Sequence, residues 1–363
     1  MKTGIKKLII IISILLVALI GYGVYIITSW YRLPENLPLE VKRNISSTYS
    51  EESPNIKVGN YYLLMTYDIG FGAYRRDFEF FLDGGNSFKA KNEESVVAAI
   101  CAMGEIINNA NPDFLLLQEV DVDGSRSYHV DELELMNQFV KGYYYVYAQN
   151  YDSPFWFFPP WQPYGANESG IVTYSRAEIT SAMRRSFPIA KDIKKYTDLD
   201  RCYSVSRILV DTEEGESKTL CIYNVHLSSR SSNYEVRKEQ LAMLYRDMSE
   251  DYQRGDYVIC GGNFAQDLKG SATEAVHEWA EPFDREGLPE GFSLACDRAG
   301  DLENILKDTA RSAAVPYVEG KVDTVTLDGF IVSDNIAVNF YHHMDWEYEF
   351  SYHEPAIMQF KLE

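Results

Sequence analysis

Residues 8–28, LIIIISILLVALIGYGVYIIT, form an almost unbroken apolar run. No water-exposed helix or strand tolerates such a run, and about 20 such residues cross the hydrocarbon core of a bilayer as a helix. Lys2, Lys6 and Lys7 precede it, which favours a cytoplasmic N-terminus. Tyr22, Tyr25, Trp30 and Tyr31 gather toward the far end, where amphipathic rings favour the membrane interface. A cleaved signal peptide is the competing reading. The run is longer than a usual signal core and no A-x-A-like site follows it. The expectation is an uncleaved single-pass anchor in the cell membrane, with everything beyond it outside the cytoplasm. The divisions expected are a short cytoplasmic N-terminus (1–7), the anchor (8–30), a polar Pro/Asn/Ser-rich linker (31–60) and one folded domain (61–363).

Of the 34 Lys and Arg, four lie before Leu33, so 30 basic side chains face 54 acidic ones in the remainder. A surface of that sign repels polyanions at long range. Tight non-specific nucleic-acid binding needs clustered Lys and Arg, so long nucleic acid is a disfavoured partner. The five cysteines have no C-x-x-C spacing and indicate neither a zinc site nor a disulfide framework.

From Tyr61 onward, apolar strand-like runs outnumber helical ones. YYLLMTY (61–67), DFLLLQE (113–119), YYYVYAQN (143–150), GIVTYS (170–175), residues around 179–187, YSVSRILV (203–210), TLCIYNVHL (219–227), DYVICGG (256–262), VDTVTLDGFIVS (322–333), IAVNFYHH (336–343) and PAIMQFKL (355–362) read as strands. Residues 92–110 and 233–253 carry helical periodicity, and 131–140 suits a short helix. Helices separate some strands while other strands follow one another directly. That pattern suggests two packed sheets with helices outside, an α/β sandwich.

Several strands end in polar groups: Asp68, Glu119, His226, Asn263, Asp328 and His353. Strand ends can gather distant residues in one cleft. Carboxylates there suit Mg²⁺, which prefers oxygen ligands, and histidines there suit proton transfer or stabilisation of a phosphoryl oxyanion. Taken singly, each has an ordinary structural role open to it, such as a turn cap or a satisfied core histidine.

Taken in order, the segments LLMTYDIG, DFLLLQEVD, SGIVTYS, YNVHLS, VICGGNFAQDL, LDGFIVS and FSYHEPAIM resemble the endonuclease/exonuclease/phosphatase (DNase I-like) superfamily from about Tyr61 to Lys361. The resemblance implies a four-layer α/β sandwich of two mainly antiparallel sheets flanked by helices. It implies a divalent-metal phosphoester hydrolase using Mg²⁺ or Mn²⁺. Glu119 matches the metal-binding Glu of the family's Q-E motif. His226 matches a histidine that contacts the scissile phosphate, Asp328 the carboxylate that orients the last histidine, and His353 that histidine.

Four positions depart from the family pattern. Asp68 stands where Asn is usual, and can still bind metal. The G-D-F-N loop reads Gly262-Asn263-Phe264-Ala265, so the water-activating Asp and a phosphate-positioning Asn are both replaced. In the S-D-H motif, Tyr352 replaces Asp. Gln266 or Asp267 would rescue the loop only after a register change. The expectation is impaired or altered phosphoesterase activity, with the metal weak or lost. The alternatives are binding of a phosphorylated ligand without cleavage, and an extracytoplasmic scaffold.

Two further segments attract attention. SRSYHVDE (125–132) offers Arg126 and Tyr128, with His129, as phosphate-gripping groups. Residues 150–165 pack seven aromatics and four prolines into one loop. Its default role is core cover, and contact with the bilayer is the alternative. Among substrates, a lipid head group or a small phosphoester suits an anchored acidic domain best.

Overall fold

The computed structural model describes residues 2–45, 53–196, 198–212, 218–229, 234–269, 280–299 and 307–363. Its architecture follows from three separate hydrophobic interfaces. The strand Tyr61–Asp68 shows how they arise. Successive side chains point to opposite faces: Tyr62 and Leu64 enter one core, and Met65 and Tyr67 enter another. Both faces are buried, so a layer must lie on each side.

The middle core joins the two sheets. Leu64, Phe114, Leu116, Met358 and Phe360 from one sheet meet Ile208, Ile222, Ile259, Phe330 and Val332 from the other. On the outer face of the first sheet lies the helix Glu93–Ala110, which buries Val96, Ala99, Ile100, Met103, Ile106 and Ile107. Asn92 caps it through a reciprocal pair of bonds with Ser95, and Asn111 ends it in a left-handed conformation. On the outer face of the second sheet, the helix Tyr234–Gln253 sets Leu244 and Met248 against Cys221, Tyr223, Val225, Val258 and Cys260. The result is helix, sheet, sheet, helix: the four-layer α/β sandwich.

Each sheet is mostly antiparallel but contains one long parallel pair joined by a helix. Tyr61–Asp68 runs parallel to Phe114–Gly124, with the helix Glu93–Ala110 as the crossover. Lys218–His226 runs parallel to Tyr257–Asn263, with Tyr234–Gln253 as the crossover. The carboxyl ends of all four strands therefore point the same way along their units, the arrangement that places ligands at strand ends. Strand Asp328–Ser333 pairs antiparallel with Tyr257–Asn263, and Ala356–Leu362 with Tyr61–Asp68. These two bring the start of one strand and the segment before the other to the same edge.

Two expectations need correction. The segment 31–60, read as a linker, is stitched into the fold. Asn36–Pro38 pairs with Ser181–Ser186, Lys42–Arg43 with Tyr144–Asp152, and Ile56–Lys57 with Cys202–Asp211. The reason is that the outer strands Ser181–Ser186 and Tyr144–Asp152, and the end of Cys202–Asp211 beyond its pairing with Ser181–Ser186, leave backbone groups that need partners; residues 46–52 of this segment lie outside the described residues. The helix expected over 131–140 is only Glu132–Met136; beyond it the chain tightens into turns, with the Gln138 and Phe139 N–H groups on the Leu135 and Met136 carbonyls, and Asn44 donates to the Asn137 and Val140 carbonyls. The start of the helix expected over 233–253 is Asn233, outside the described residues. All five cysteines are free thiols.

The apolar run lies in a helix, Lys2–Ser29. Residues Gly4–Ser29 are long and apolar enough to cross a membrane.

Candidate active site

Six of the polar strand ends meet in one cleft. Asp68 and Glu119 come from the first parallel pair, and His226 and Asn263 from the second. Asp68, Glu119 and His226 offer ligand atoms that all lie within 4.8 Å of one another. His226 Nε2 lies 3.8 Å from Asp68 Oδ2 and 3.9 Å from Glu119 Oε1. Asn263 Nδ2 donates to Asp68 Oδ2 at 3.0 Å.

Backbone irregularity aims these groups. Glu119 adopts φ 54° at a register shift between Leu117 and Val120. The bulge turns its side chain into the cleft at some local cost. At Gly262, φ is 137° and a Cβ would fall 2.0 Å from the Val225 carbonyl oxygen. Only glycine lets the strand carrying Asn263 approach the strand carrying His226 so closely.

The two sheets are also tied together beneath the cleft. Gln118 donates to Thr66 and to Asn224, and Asn224 donates to the carbonyls of Leu117 and Val172. This buried network fixes the sheet carrying Glu119 against the sheet carrying His226. Sequence reasoning missed it. Gln118 and Asn224 each sat beside a candidate residue, but only the inter-sheet register shows that they meet.

The electrostatics are uneven. Burial and the neighbouring Asp68 push Glu119 up to about 8. Its Oε2 is buried with no hydrogen-bond partner among the described residues. Arg126, Arg201 and His353 offset only part of the cost of burying Glu119 beside Asp68, and a divalent cation is the group that would offset the rest. An oxygen-rich donor set with an orphaned buried oxygen fits Mg²⁺ or Mn²⁺. Asp68 and Glu119 are the residues that would hold it. Burial, Arg201 and His353 hold His226 well below the usual imidazole value, so it is neutral at pH 7.

Across the cleft, His353 Nδ1 and Asp328 Oδ2 are 2.5 Å apart. Thr309 Oγ1 accepts from the Asp328 N–H. Burial alone would lower His353, but Asp328 and Asp68 outweigh it and raise it to about 9. His353 is therefore cationic at neutral pH. Its Nε2 is buried without a partner among the described residues, leaving one N–H to donate.

At the altered positions, Asn263 is fully engaged: its Oδ1 accepts from the Ala265 N–H at 2.9 Å while its Nδ2 holds Asp68. Ala265 itself has φ 53°, a conformation Asn tolerates better than Ala. Tyr352 stacks on Tyr74 with centroids 4.0 Å apart and meets the His353 ring edge-on. A Cβ on Gly70 would touch the Tyr352 ring at 3.1 Å, so this tyrosine fills the space beside Asp68. Ser351 Oγ donates to the Asp68 carbonyl, tying the segment down. Gln266 and Asp267 form a short strand with Glu281–Pro282. The Asp267 carboxylate caps the Lys269 N–H, and the Gln266 Oε1 is buried without a partner among the described residues.

Arg126 and Tyr128 are placed differently from the other candidates. Arg126 is buried and makes two bonds to Asp121, a third to Tyr164, and lies 3.8 Å over the Phe71 ring. Its guanidinium is committed to the fold. Tyr128 donates to the Lys91 carbonyl, and His129 pairs with Asp123 on an exposed loop.

A sequence model of the endonuclease/exonuclease/phosphatase family matches residues 65–264. Among solved structures, an endonuclease/exonuclease/phosphatase from Beutenbergia cavernae is similar over 83% of this chain and 72% of its own, at 16% identity and a TM-score of 0.56. ANGEL2, a 2',3'-cyclic phosphatase, is similar over 84% of this chain and 96% of its own, at 14% identity and 0.53. D. rerio TDP2, complexed with a single-strand DNA product, is similar over 83% and 99%, at 12% identity and 0.52. At these identities the likeness is one of fold. None of the curated proteins compared with the chain matches it.

Proposed function

The chain belongs to the endonuclease/exonuclease/phosphatase family, and from that premise we propose that it is a membrane-anchored, divalent-metal-dependent phosphoester hydrolase with weakened water activation. The observation that carries the reading is the cleft's division of labour. Asp68 and Glu119 lie together with an orphaned carboxylate oxygen, and the Asp328–His353 pair stands opposite, while position 263 is an amide with both ends engaged.

A bound Mg²⁺ or Mn²⁺ supplies Lewis-acid polarisation of a phosphoryl oxygen. The chain's own residues do the rest. His353, held by Asp328 and cationic, donates from Nε2 to a phosphoryl oxyanion, a contact that strengthens as charge develops. Neutral His226 orients the phosphate from the other strand end. An Asn263 amide oxygen cannot take a proton from water near neutral pH, so the attacking water lacks its base. A positioned base commonly contributes about 10²–10⁴-fold in rate.

The substrate class we favour is a lipid head group or small phosphoester. ANGEL2 is described as a 2',3'-cyclic phosphatase and D. rerio TDP2 as complexed with a single-strand DNA product, but the domain here carries 30 basic against 54 acidic side chains, which disfavours a long polyanion. A second reading is ligand binding without turnover, favoured by the Tyr352 ring packed over Gly70 beside Asp68.

The test is hydrolysis of bis(p-nitrophenyl) phosphate by the detergent-solubilised full chain with Mg²⁺ or Mn²⁺, beside a variant carrying Asn263→Asp, Ala265→Asn and Tyr352→Asp. Slow metal-dependent turnover by the wild type, faster in the variant, supports the hydrolase. A silent wild type beside an active variant supports binding without turnover. Silence of both, with both folded and binding Mn²⁺, counts against either reading.

A further inference from the structure

The aromatic loop of residues 150–165 takes no part in the chemistry above, yet it presents Phe157, Phe158 and Trp161 at 60, 63 and 80 % exposure. Between Ser153 and Asn167 there is no charged side chain, although the domain around it is strongly acidic. Large rings gathered on an uncharged projection mark an interaction surface.

The loop is bonded to the apolar helix. Tyr22 Oη donates to the Phe155 carbonyl and accepts from the Phe157 N–H, and Tyr25 Oη accepts from the Phe155 N–H. The Phe157 ring meets Tyr22 edge-on at 5.6 Å. Just beyond the helix, Trp30 donates to the Lys195 carbonyl, Tyr31 to Asp152, and Arg32 to Asp200. Helix and domain are thus fastened together, and the loop's height along the helix is fixed.

Resting on the reading of this helix as a membrane anchor, we infer that residues 155–161 are a second membrane contact, a wedge seated in the phospholipid leaflet beside the helix. Twenty residues counted from Leu8, just after Lys6 and Lys7, reach Ile27. Tyr22 lies five residues short of it, about 7 Å below the hydrocarbon boundary at 1.5 Å per residue. Rings held at the level of Tyr22 and Tyr25 therefore stand in the upper acyl region, just beneath the headgroups. Trp favours that zone.

Most of the backbone is prepared for such a place, where an unsatisfied polar group is expensive; the Phe158 and Trp161 N–H groups alone in the wedge have no partner among the described residues. The Phe155 and Phe157 N–H groups are taken by the two tyrosines. Those of Trp156, Gln162, Tyr164 and Gly165 bond within the loop. Pro154, Pro159, Pro160 and Pro163 have none to satisfy. The loop also connects to the cleft: Phe158 packs on Phe88, Phe88 on Phe81, Phe81 on Tyr164, and Tyr164 accepts from Arg126, five residues before which Asp121 anchors the Glu119 strand. A seated wedge would hold the cleft at a set orientation to the bilayer.

The experiment uses the full chain reconstituted in phosphatidylcholine vesicles, with and without bromine on the upper acyl chain. An alkaline carbonate wash first tests the anchor. Tryptophan emission of wild type and Trp161→Phe is then compared, the difference being the Trp161 signal. The expected result is a wash-resistant protein whose Trp161 signal is lost in brominated vesicles. A wash-resistant protein whose Trp161 signal is the same in both vesicles overturns the wedge and leaves the anchor standing. Release of the protein by the wash overturns the anchor and the wedge with it.

Discussion

The two parallel strand pairs are built alike and end differently. Each is strand, helix, strand with an outer helix packed over one sheet. The first delivers two carboxylates, Asp68 and Glu119; the second delivers an imidazole and an amide, His226 and Asn263. The same scaffold thus makes one anionic wall and one neutral wall. The anionic wall calls for a cation. The neutral wall, with Asn263 already donating to Asp68, adds no further negative charge to it. What the comparison teaches is that the fold supplies position, while the residue at each strand's end or bulge decides the chemistry.

The sharpest way to break this asymmetry is to neutralise the first wall. Glu119→Gln removes the charge while keeping shape. It is expected to weaken Mn²⁺ binding beyond the roughly 10–100-fold typical of outer-shell changes, measured by isothermal titration calorimetry, and to abolish any metal-dependent turnover. The metal-free protein should lose no stability, because a buried carboxylate pushed up to about 8 is exchanged for a neutral amide. Unchanged Mn²⁺ affinity would remove Glu119 from the metal site.

The next experiment makes the walls alike in sign. Asn263→Asp places a third carboxylate 3.0 Å from where Asp68 now accepts a bond. Without metal, the variant should unfold about 3 kcal/mol more easily at pH 8, the scale of an uncompensated buried charge. Saturating Mg²⁺ should restore most of that in a denaturant melt. A variant as stable as wild type without metal would mean that Asn263 and Asp68 are less closely coupled than their hydrogen bond implies.

The walls themselves were legible in the sequence because polar side chains sat at or near the ends of apolar runs, where period-two burial stops. Singly each had an ordinary role open to it; Glu119, His226, Asp328 and His353 stood out only through the order of the segments that carry them. Their supports did not. Arg126 looked like an exposed phosphate grip because an arginine in a polar stretch gives no local sign of burial. Asp121, two residues beyond Glu119, claims it. The edge strands at 36–38, 42–43 and 56–57 read as linker because two- and three-residue strands carry no periodicity, and their stability comes from the sheet edge they meet. The Gln118–Asn224 contact spans 106 residues, and nothing local announces it.

The segment carrying His353 belongs to neither unit, and its anchor offers a pH test. Glu354 Oε1 accepts from the Trp346 and Tyr348 N–H groups. Burial raises its carboxyl to about 8 despite those bonds. The folded state therefore holds this proton more tightly than the unfolded chain. Its contribution is full below pH about 4.5 and is lost as pH rises through about 8, with a slope of up to about 1.4 kcal/mol per pH unit. Glu354→Gln keeps the acceptor and removes the titration. In urea melts across pH 5–9, the variant should lose less stability than wild type on the alkaline side. Parallel pH profiles would show that Glu354 does not titrate in this window.

The smallest effect concerns the neutral wall's own strain. Ala265 holds φ 53°, with its N–H fixed to Asn263 Oδ1. A left-handed alanine costs on the order of 1 kcal/mol, and glycine adopts that conformation freely, though it gives some of the gain back through a looser unfolded chain. Ala265→Gly should therefore be neutral to slightly stabilising, by up to about 0.5 kcal/mol, where a glycine replacing a buried residue ordinarily destabilises. Ala265→Val, β-branched and disfavoured at positive φ, should destabilise. If glycine costs more than valine, the Ala265 methyl in its buried cluster with Phe264 and Phe283 matters more than the backbone. The altered loop would then be a packed substitute for a catalytic one, and the neutral wall would owe its shape to packing before hydrogen bonding.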